Sequence, residues 1–125
     1  MKTMMKWSGV FLVVVMLFVF AGEVGAFCVH NKSSCQIHVD QSWGGSFWRR
    51  FAVDLAPGED ACCNWANTDC NQSGEKFHEV KFNVRHTSES FVCTDVVIPA
   101  CSDMDITGTD CGNIKCVAHG RETCN

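Results

Sequence analysis

Ten cysteines are the feature that most restricts what this 125-residue chain can fold into. They all lie in the last four fifths of the chain, at Cys28, Cys35, Cys62, Cys63, Cys70, Cys93, Cys101, Cys111, Cys116 and Cys124. Cysteine at this density is typical of small secreted domains, in which disulfides compensate for a limited hydrophobic core. We expect all ten to be paired. Because ten cysteines allow about 945 pairings, the sequence does not fix the connectivity.

The first 26 residues have the three-part pattern of a secretory signal peptide. Lys2 and Lys6 give a positive start, residues 10–20 are an unbroken apolar run, and Val24-Gly25-Ala26 places small residues before the expected cleavage point. The apolar run is about half the roughly 20 residues that a membrane-spanning helix needs, which favours cleavage over anchoring. We therefore expect a signal peptide over 1–26, a single cysteine-rich domain over 27–125 and a secreted, extracellular protein.

The charge of the expected mature chain limits its partners. Residues 27–125 carry 8 Lys and Arg against 13 Asp and Glu, a net charge of −5. An acidic surface disfavours nucleic acid as a partner. It also argues against stable membrane insertion and against a membrane-active toxin, since no basic amphipathic stretch occurs. We expect a monomer whose partner is an extracellular protein or a cell-wall carbohydrate, with the toxin kept as an alternative.

Alternating apolar and polar residues predict β-strands along most of the chain. The clearest alternation is in 76–86, where His78, Val80, Phe82, Val84 and His86 share one face. Residues 35–39 and 47–55 alternate in the same way. The continuous apolar run at 91–100 favours a central strand, and 102–112 reads as a loop. The sequence predicts an all-β fold, a small disulfide-stapled antiparallel β-sandwich of about six to eight strands.

The segment 60–74 contains three cysteines and is expected to be the cross-linked centre of the domain. Adjacent residues of a strand point to opposite faces, so Cys62 and Cys63 should bond different partners. A bond between these neighbours would form a strained ring. Trp65 should pack beside them, and Cys70 should anchor the loop that follows.

No catalytic or metal-binding constellation is recognisable in the sequence. The chain has no Gly-x-Ser-x-Gly elbow and no Cys-x-x-Cys, and a free thiol is not expected in a secreted chain. Residues 103–110 resemble the first half of a calcium loop, but the twelfth position is Ile114 where a bidentate Glu is required. We therefore predict no catalytic residues, no metal, no cofactor and no enzymatic activity.

Two tryptophans and two asparagines are the candidate surface sites. Trp43 lies in a glycine-rich turn and Trp48 on the polar face of its predicted strand, where either could contact a carbohydrate ring or a protein partner. The alternative is that both fill a small core. Asn31 and Asn71 begin Asn-x-Ser triplets in predicted loops, which is the pattern of N-glycosylation acceptors.

Three short segments carry a family resemblance: Trp65 to Cys70, Ser73-Gly74 and Thr107 to Gly112. Together they resemble thaumatin-like proteins, which are secreted, disulfide-rich β-sandwiches linked to defence, sweetness or glucan binding. This chain is shorter and has fewer cysteines than those proteins. It is also similar to the small cysteine-rich, effector-like proteins that microbes, especially fungi, secrete. The resemblances imply a non-enzymatic binding module of effector or defence type, or alternatively a small glucan-binding or glucan-hydrolysing protein.

Overall fold

The computed structural model describes residues 25–86 and 91–124. Its elements, in chain order, are β1 (Ala26–Asn31), β2 (Ile37–Trp43), β3 (Ala52–Leu55), β4 (Asp60–Asn64), β5 (Glu79–His86), β6 (Phe91–Pro99), β7 (Asp103–Thr107), β8 (Lys115–Ala118) and a 3-10 helix (Arg121–Thr123). Of the signal peptide predicted over 1–26, residues 1–24 lie outside the described part of the chain. No helix in the described ranges is long and apolar enough to cross a membrane.

The eight strands form two sheets of four. One sheet has the order β4-β1-β7-β8 and the other the order β3-β2-β5-β6. This confirms the predicted all-β, disulfide-stapled sandwich. The prediction that it is antiparallel holds for every pair except β1 and β7, which run parallel with Cys28 opposite Asp103. A parallel pair needs a long connection, and here the connection contains the whole second sheet.

The core lies between the two sheets and follows the period-two pattern of the sequence. On β5, the inward residues Val80, Phe82 and Val84 are buried completely. Phe27 of β1 reaches across from the other sheet, and its ring centroid lies 5.1 Å from those of Phe51 and Phe82. Such offset and edge-on aromatic contacts stabilise packing beyond the burial of area alone. Phe27 therefore joins the two sheets at the centre of the domain.

All ten cysteines are paired, as predicted. The bonds are Cys28–Cys62, Cys35–Cys111, Cys63–Cys70, Cys93–Cys116 and Cys101–Cys124. Adjacent Cys62 and Cys63 do bond different partners. Cys62 is exposed while Cys63 packs against the core, which agrees with the opposite faces expected of neighbouring strand residues. Trp65 packs against the same core.

Two strand assignments and one strand position predicted from the sequence were wrong. The strand predicted over 47–55 is only β3, because residues 46–49 turn and expose the aromatic residues that the alternation had placed on strand faces. The apolar run at 91–99 forms an edge strand, β6, rather than a central one. The loop predicted at 102–112 contains β7, whose Met104 and Ile106 are buried by the parallel pairing with β1. Sequence alternation does not reveal which strands will become neighbours.

Candidate functional site

The end of β2 and the connection from β2 to β3 expose three large aromatic side chains. The exposed fraction is 62% for Trp43, 75% for Phe47 and 88% for Trp48. Phe47 and Trp48 contact each other edge to face, with ring centroids 4.8 Å apart. We call these two residues the aromatic tip. The structure thus places both predicted ligand-binding residues, Trp43 and Trp48, at the surface, and rules out the alternative that they fill the core.

A buried glutamine fixes the base of this connection. Gln41 is almost fully buried, and its Nε2 donates to the carbonyl oxygen of Cys70 at 2.6 Å and to that of Trp43 at 3.3 Å. Its Oε1 accepts from the backbone N–H of Phe51 at 3.1 Å. One side chain therefore ties both ends of the connection to the Cys63–Cys70 loop. A fully bonded buried amide of this kind holds the backbone in one arrangement.

Two adjacent glycines bring the connection close to its neighbours. Gly44 has a φ of 90°, and a Cβ there would lie 2.8 Å from the side chain of Val80. A Cβ on Gly45 would collide with the side chain of Gln41. Backbone hydrogen bonds then join this segment to the 65–74 loop, from Ser46 N–H to Asp69 O and from Gln72 N–H to Gly44 O. The exposed aromatics are thus carried on a well-supported segment.

Three open clefts surround Trp43, and we call them together the Trp43 groove. The largest, about 520 Å³, is lined by Trp43, Phe77, His78, Glu75, Glu79, Lys76 and Arg121. The second, about 410 Å³, is lined by Ser42, Trp43, Gly44, Gly45, Gln72, Ser73 and His78. The third, about 300 Å³, is lined by Asp40, Gln41, Ser42, Trp43, Gly45, Ser46, Phe47 and Arg50. Because all three are lined by Trp43, they adjoin one another at this residue.

The largest cleft combines aromatic and charged side chains. Arg121 of the 3-10 helix lies over the ring of Phe77, with its guanidinium carbon 4.6 Å from the centroid, and the Lys76 ammonium is 5.6 Å from the same centroid. Cation–π contacts of this length are attractive and orient the cations. Disulfide Cys101–Cys124 anchors the tail that supplies Arg121. A cleft with an exposed indole and several fixed polar groups is suited to binding rather than to core packing.

A second polar cluster covers the outer face of the β4-β1-β7-β8 sheet. His30 Nδ1 lies 3.0 Å from Asp60 Oδ1, while Asp105 Oδ2 lies 2.9 Å from His119 Nε2 and 3.2 Å from Lys32 Nζ. Burial raises the pKa of Asp105, but hydrogen bonds and charges from His119 and Lys32 outweigh it, and that pKa lies below its usual value. These contacts join neighbouring strands of the sheet. We therefore interpret the cluster as one that stabilises the sheet.

The described residues contain two groups with metal-ligand spacing, Cys35–His86–Cys111 and Cys28–His30–Asp103. In each group the cysteines belong to disulfides, so neither offers the thiolate that zinc or copper would require. The calcium-loop resemblance at 103–110 is broken by β7, whose extended backbone separates the oxygens that a loop would bring together.

Both candidate glycosylation sites are buried. Asn31 is 1% exposed and Asn71 is fully buried. Asn31 Nδ2 donates to the carbonyl oxygens of Cys35 and Leu55. Asn71 Nδ2 donates in the same way to those of Glu75 and Trp65. The Oδ1 of each accepts from the serine two residues ahead. A glycan on Nδ2 would replace one of these donated hydrogens, so a glycosylated asparagine would lose one of its two hydrogen bonds. The two Asn-x-Ser triplets form matching hydrogen-bonded turns.

We expect Asn71→Ala to lower the free energy of unfolding by about 2 kcal/mol, since it removes two part-buried hydrogen bonds, to the carbonyl oxygens of Trp65 and Glu75, that contribute about 1 kcal/mol each. Urea unfolding of protein from a host without N-glycosylation measures this. Gln72→Ala, at an exposed neighbouring position, should change stability by about 0.5 kcal/mol or less. If Asn71 served only to carry a glycan, Asn71→Ala would leave this unglycosylated protein as stable as the wild type.

Sequence reasoning missed several residues of the Trp43 groove. The alternation at 47–55 places Phe47 on the apolar face of a predicted strand, and only the turn at 46–49 exposes it. Phe77 and Arg121 are 44 positions apart in the sequence, and no local pattern connects them. The cysteine near the C-terminus was the one available signal that the tail would be brought back to the domain.

Comparison with known proteins identifies no relative from which a role could be transferred. No protein-family model matches this chain, and neither does any curated protein or solved structure. The similarity to thaumatin-like and effector-like proteins therefore stays a resemblance of short segments, and the case for a function depends on the geometry of the aromatic tip and the Trp43 groove.

Proposed function

We propose that this protein is a secreted binding module of the effector or defence type, which acts on an extracellular partner without catalysing a reaction. The observation that carries the proposal is the aromatic tip. Consecutive Phe47 and Trp48 are 75% and 88% exposed on a supported turn. Rings of these types bury about 150–250 Å² each in cores and interfaces, so the tip offers on the order of 300 Å² of aromatic surface. The largest apolar patch on a typical monomer is about 300–600 Å² and is often functional, which supports the tip as a contact surface.

The residues beside the tip fit the same role. Arg49 and Arg50 follow Trp48 directly, and Trp and Arg are the residue types most enriched among those that dominate binding energy. The Arg50 Nε lies 3.2 Å from Asp40 Oδ1, which fixes its orientation. Five disulfides are typical of extracellular proteins and support secretion.

The proposal is tested by binding to an array of extracellular receptor ectodomains and cell-wall polysaccharides, with affinities measured by biolayer interferometry. We expect a Phe47→Ser, Trp48→Ser double variant to bind its partner roughly tenfold more weakly or worse, because both anchors are lost. Phe91→Ser, which removes an exposed phenylalanine from β6, is the matched control. Binding by the double variant at the wild-type level would contradict the proposal, and so would the absence of any bound partner.

A second candidate function is hydrolysis of a glucan. The observation that favours it is that Glu75 and Glu79 line the same cleft as Trp43, and glycoside hydrolysis uses two carboxyl groups about the scissile bond. Release of reducing sugar from soluble β-glucans tests this. If wild-type protein releases sugar while Glu75→Gln or Glu79→Gln does not, and Asp110→Asn still does, the protein is an enzyme and the non-enzymatic proposal fails.

A further inference from the structure

We infer that the Trp43 groove binds a segment of a neutral polysaccharide chain. The inference rests on the proposed function, since it names the chemical class of the partner for the surface beside the aromatic tip. Three properties of the groove carry it: its division into successive clefts, the mixture of aromatic and polar side chains, and the balance of its charges.

The shape of the groove suits a ligand made of repeating units. Sites for small molecules enclose about 300–1,000 Å³, and each of the three clefts falls within this range at about 520, 410 and 300 Å³. Neighbouring clefts share residues: the first and second share Trp43 and His78, and the second and third share Ser42, Trp43 and Gly45. A chain of small units can occupy adjoining clefts in turn, whereas one compact molecule would fill only one of them.

The side chains of the groove match the two kinds of surface on a sugar ring. A pyranose has an apolar C–H face, for which the exposed ring of Trp43 offers a large flat contact. Its edge carries hydroxyl groups that both donate and accept hydrogen bonds. In the largest cleft, Glu75 and Glu79 are acceptors and Arg121 is a donor, so both functions are present close to the indole.

The balance of charge indicates that the chain is neutral. The largest cleft has two carboxylates, Glu75 and Glu79, and two permanent cations, Lys76 and Arg121. In the smallest cleft the charges of Asp40 and Arg50 are paired with each other. The middle cleft is lined by small polar residues, glycine, Trp43 and His78. An acidic polysaccharide would meet two carboxylates with no excess of positive charge, which disfavours it.

The test measures binding of the folded, disulfide-bonded protein to cellohexaose, laminarihexaose and chitohexaose by isothermal titration calorimetry. We expect at least one of these neutral oligosaccharides to bind. Trp43→Ala should weaken that binding roughly tenfold or more, the effect of losing an aromatic anchor. Arg121→Gln should also weaken it, and it provides a second variant at an exposed position of the tail. Phe91→Ala, far along β6 from the groove, should bind as the wild type does.

Polygalacturonate and vesicles of phosphatidylcholine with phosphatidylserine serve as competing classes of partner. The inference is overturned if only one of these binds, if none of the neutral oligosaccharides binds, or if Trp43→Ala and Arg121→Gln bind as well as the wild type. Capture of a receptor ectodomain through Phe47 and Trp48, without oligosaccharide binding, would remove this inference and leave the proposed function intact. Cleavage of a bound oligosaccharide would instead remove the non-enzymatic proposal and preserve the class of ligand.

Discussion

Replacing both Cys35 and Cys111 with alanine is expected to lower the free energy of unfolding by about 4 kcal/mol, which is among the largest effects of any change in this chain. The bond joins residues 76 positions apart. In the chain-entropy description, a cross-link stabilises by restricting the unfolded chain, and the restriction grows with the length of the closed loop. Cys35 is also part of the buried core, so its removal adds a loss of packing.

The matched control is the double variant Cys63→Ala, Cys70→Ala. This bond spans only 7 positions, and the same entropy argument gives about 2 kcal/mol for its loss. Both double variants keep an even number of cysteines, which avoids a new free thiol. Urea unfolding without reductant measures the two values. Equal losses would show that loop length does not govern the stabilisation, and that the two bonds act through local native contacts instead.

Phe27→Ala should cost about 3–5 kcal/mol, the range found when a buried phenylalanine is truncated and leaves a cavity. Phe27 is fully buried and is the residue of β1 whose ring contacts Phe82 of the opposite sheet and Phe51, which directly precedes β3 of that sheet. The rigid disulfide framework around it should limit collapse of the surrounding side chains, which places the cost toward the upper part of the range. Thermal and urea unfolding both report it.

Phe47→Ala is the control for this prediction, because it removes the same side chain from a position that is 75% exposed. Its effect on stability should be about 0.5 kcal/mol or less. The pair separates the two uses that this chain makes of phenylalanine: Phe27 stabilises the sandwich, while Phe47 contributes to the proposed contact surface. A Phe47→Ala variant as unstable as Phe27→Ala would mean that the aromatic tip is packed against the domain rather than available to a partner.

The placement of the aromatic tip follows from how the centre of the molecule is cross-linked. Cys63–Cys70 holds the 65–74 loop, and the Cys70 carbonyl oxygen accepts from Gln41 at the base of the exposed connection. The segment 60–74 therefore serves as scaffold, and the proposed binding surface lies on the connection that it supports. A supported surface loses less conformational entropy on binding than a flexible loop would, which favours affinity.

The sequence by itself determined the class of the fold. Period-two alternation such as that of Val80, Phe82 and Val84 specifies a half-buried strand, because side chains alternate between the faces of a sheet. The adjacency of Cys62 and Cys63 determined that they bond different partners for the same reason. Full pairing of ten cysteines followed from their number and density. These are local rules that depend on near neighbours in the chain.

The tertiary structure alone decided the features that depend on contacts between residues far apart in the sequence. Asn31 and Asn71 begin triplets with the sequence of glycosylation sites. In the fold, their side-chain amides donate hydrogen bonds to the backbone carbonyl oxygens of Leu55 and Trp65. The apolar strand 91–99 became an edge strand because strand order is set by global packing. Trp43 and Arg121 meet in one cleft because a disulfide returns the tail to the sandwich. Sequence patterns encode which face of a strand is apolar, whereas a binding site depends on which faces and loops become neighbours in space.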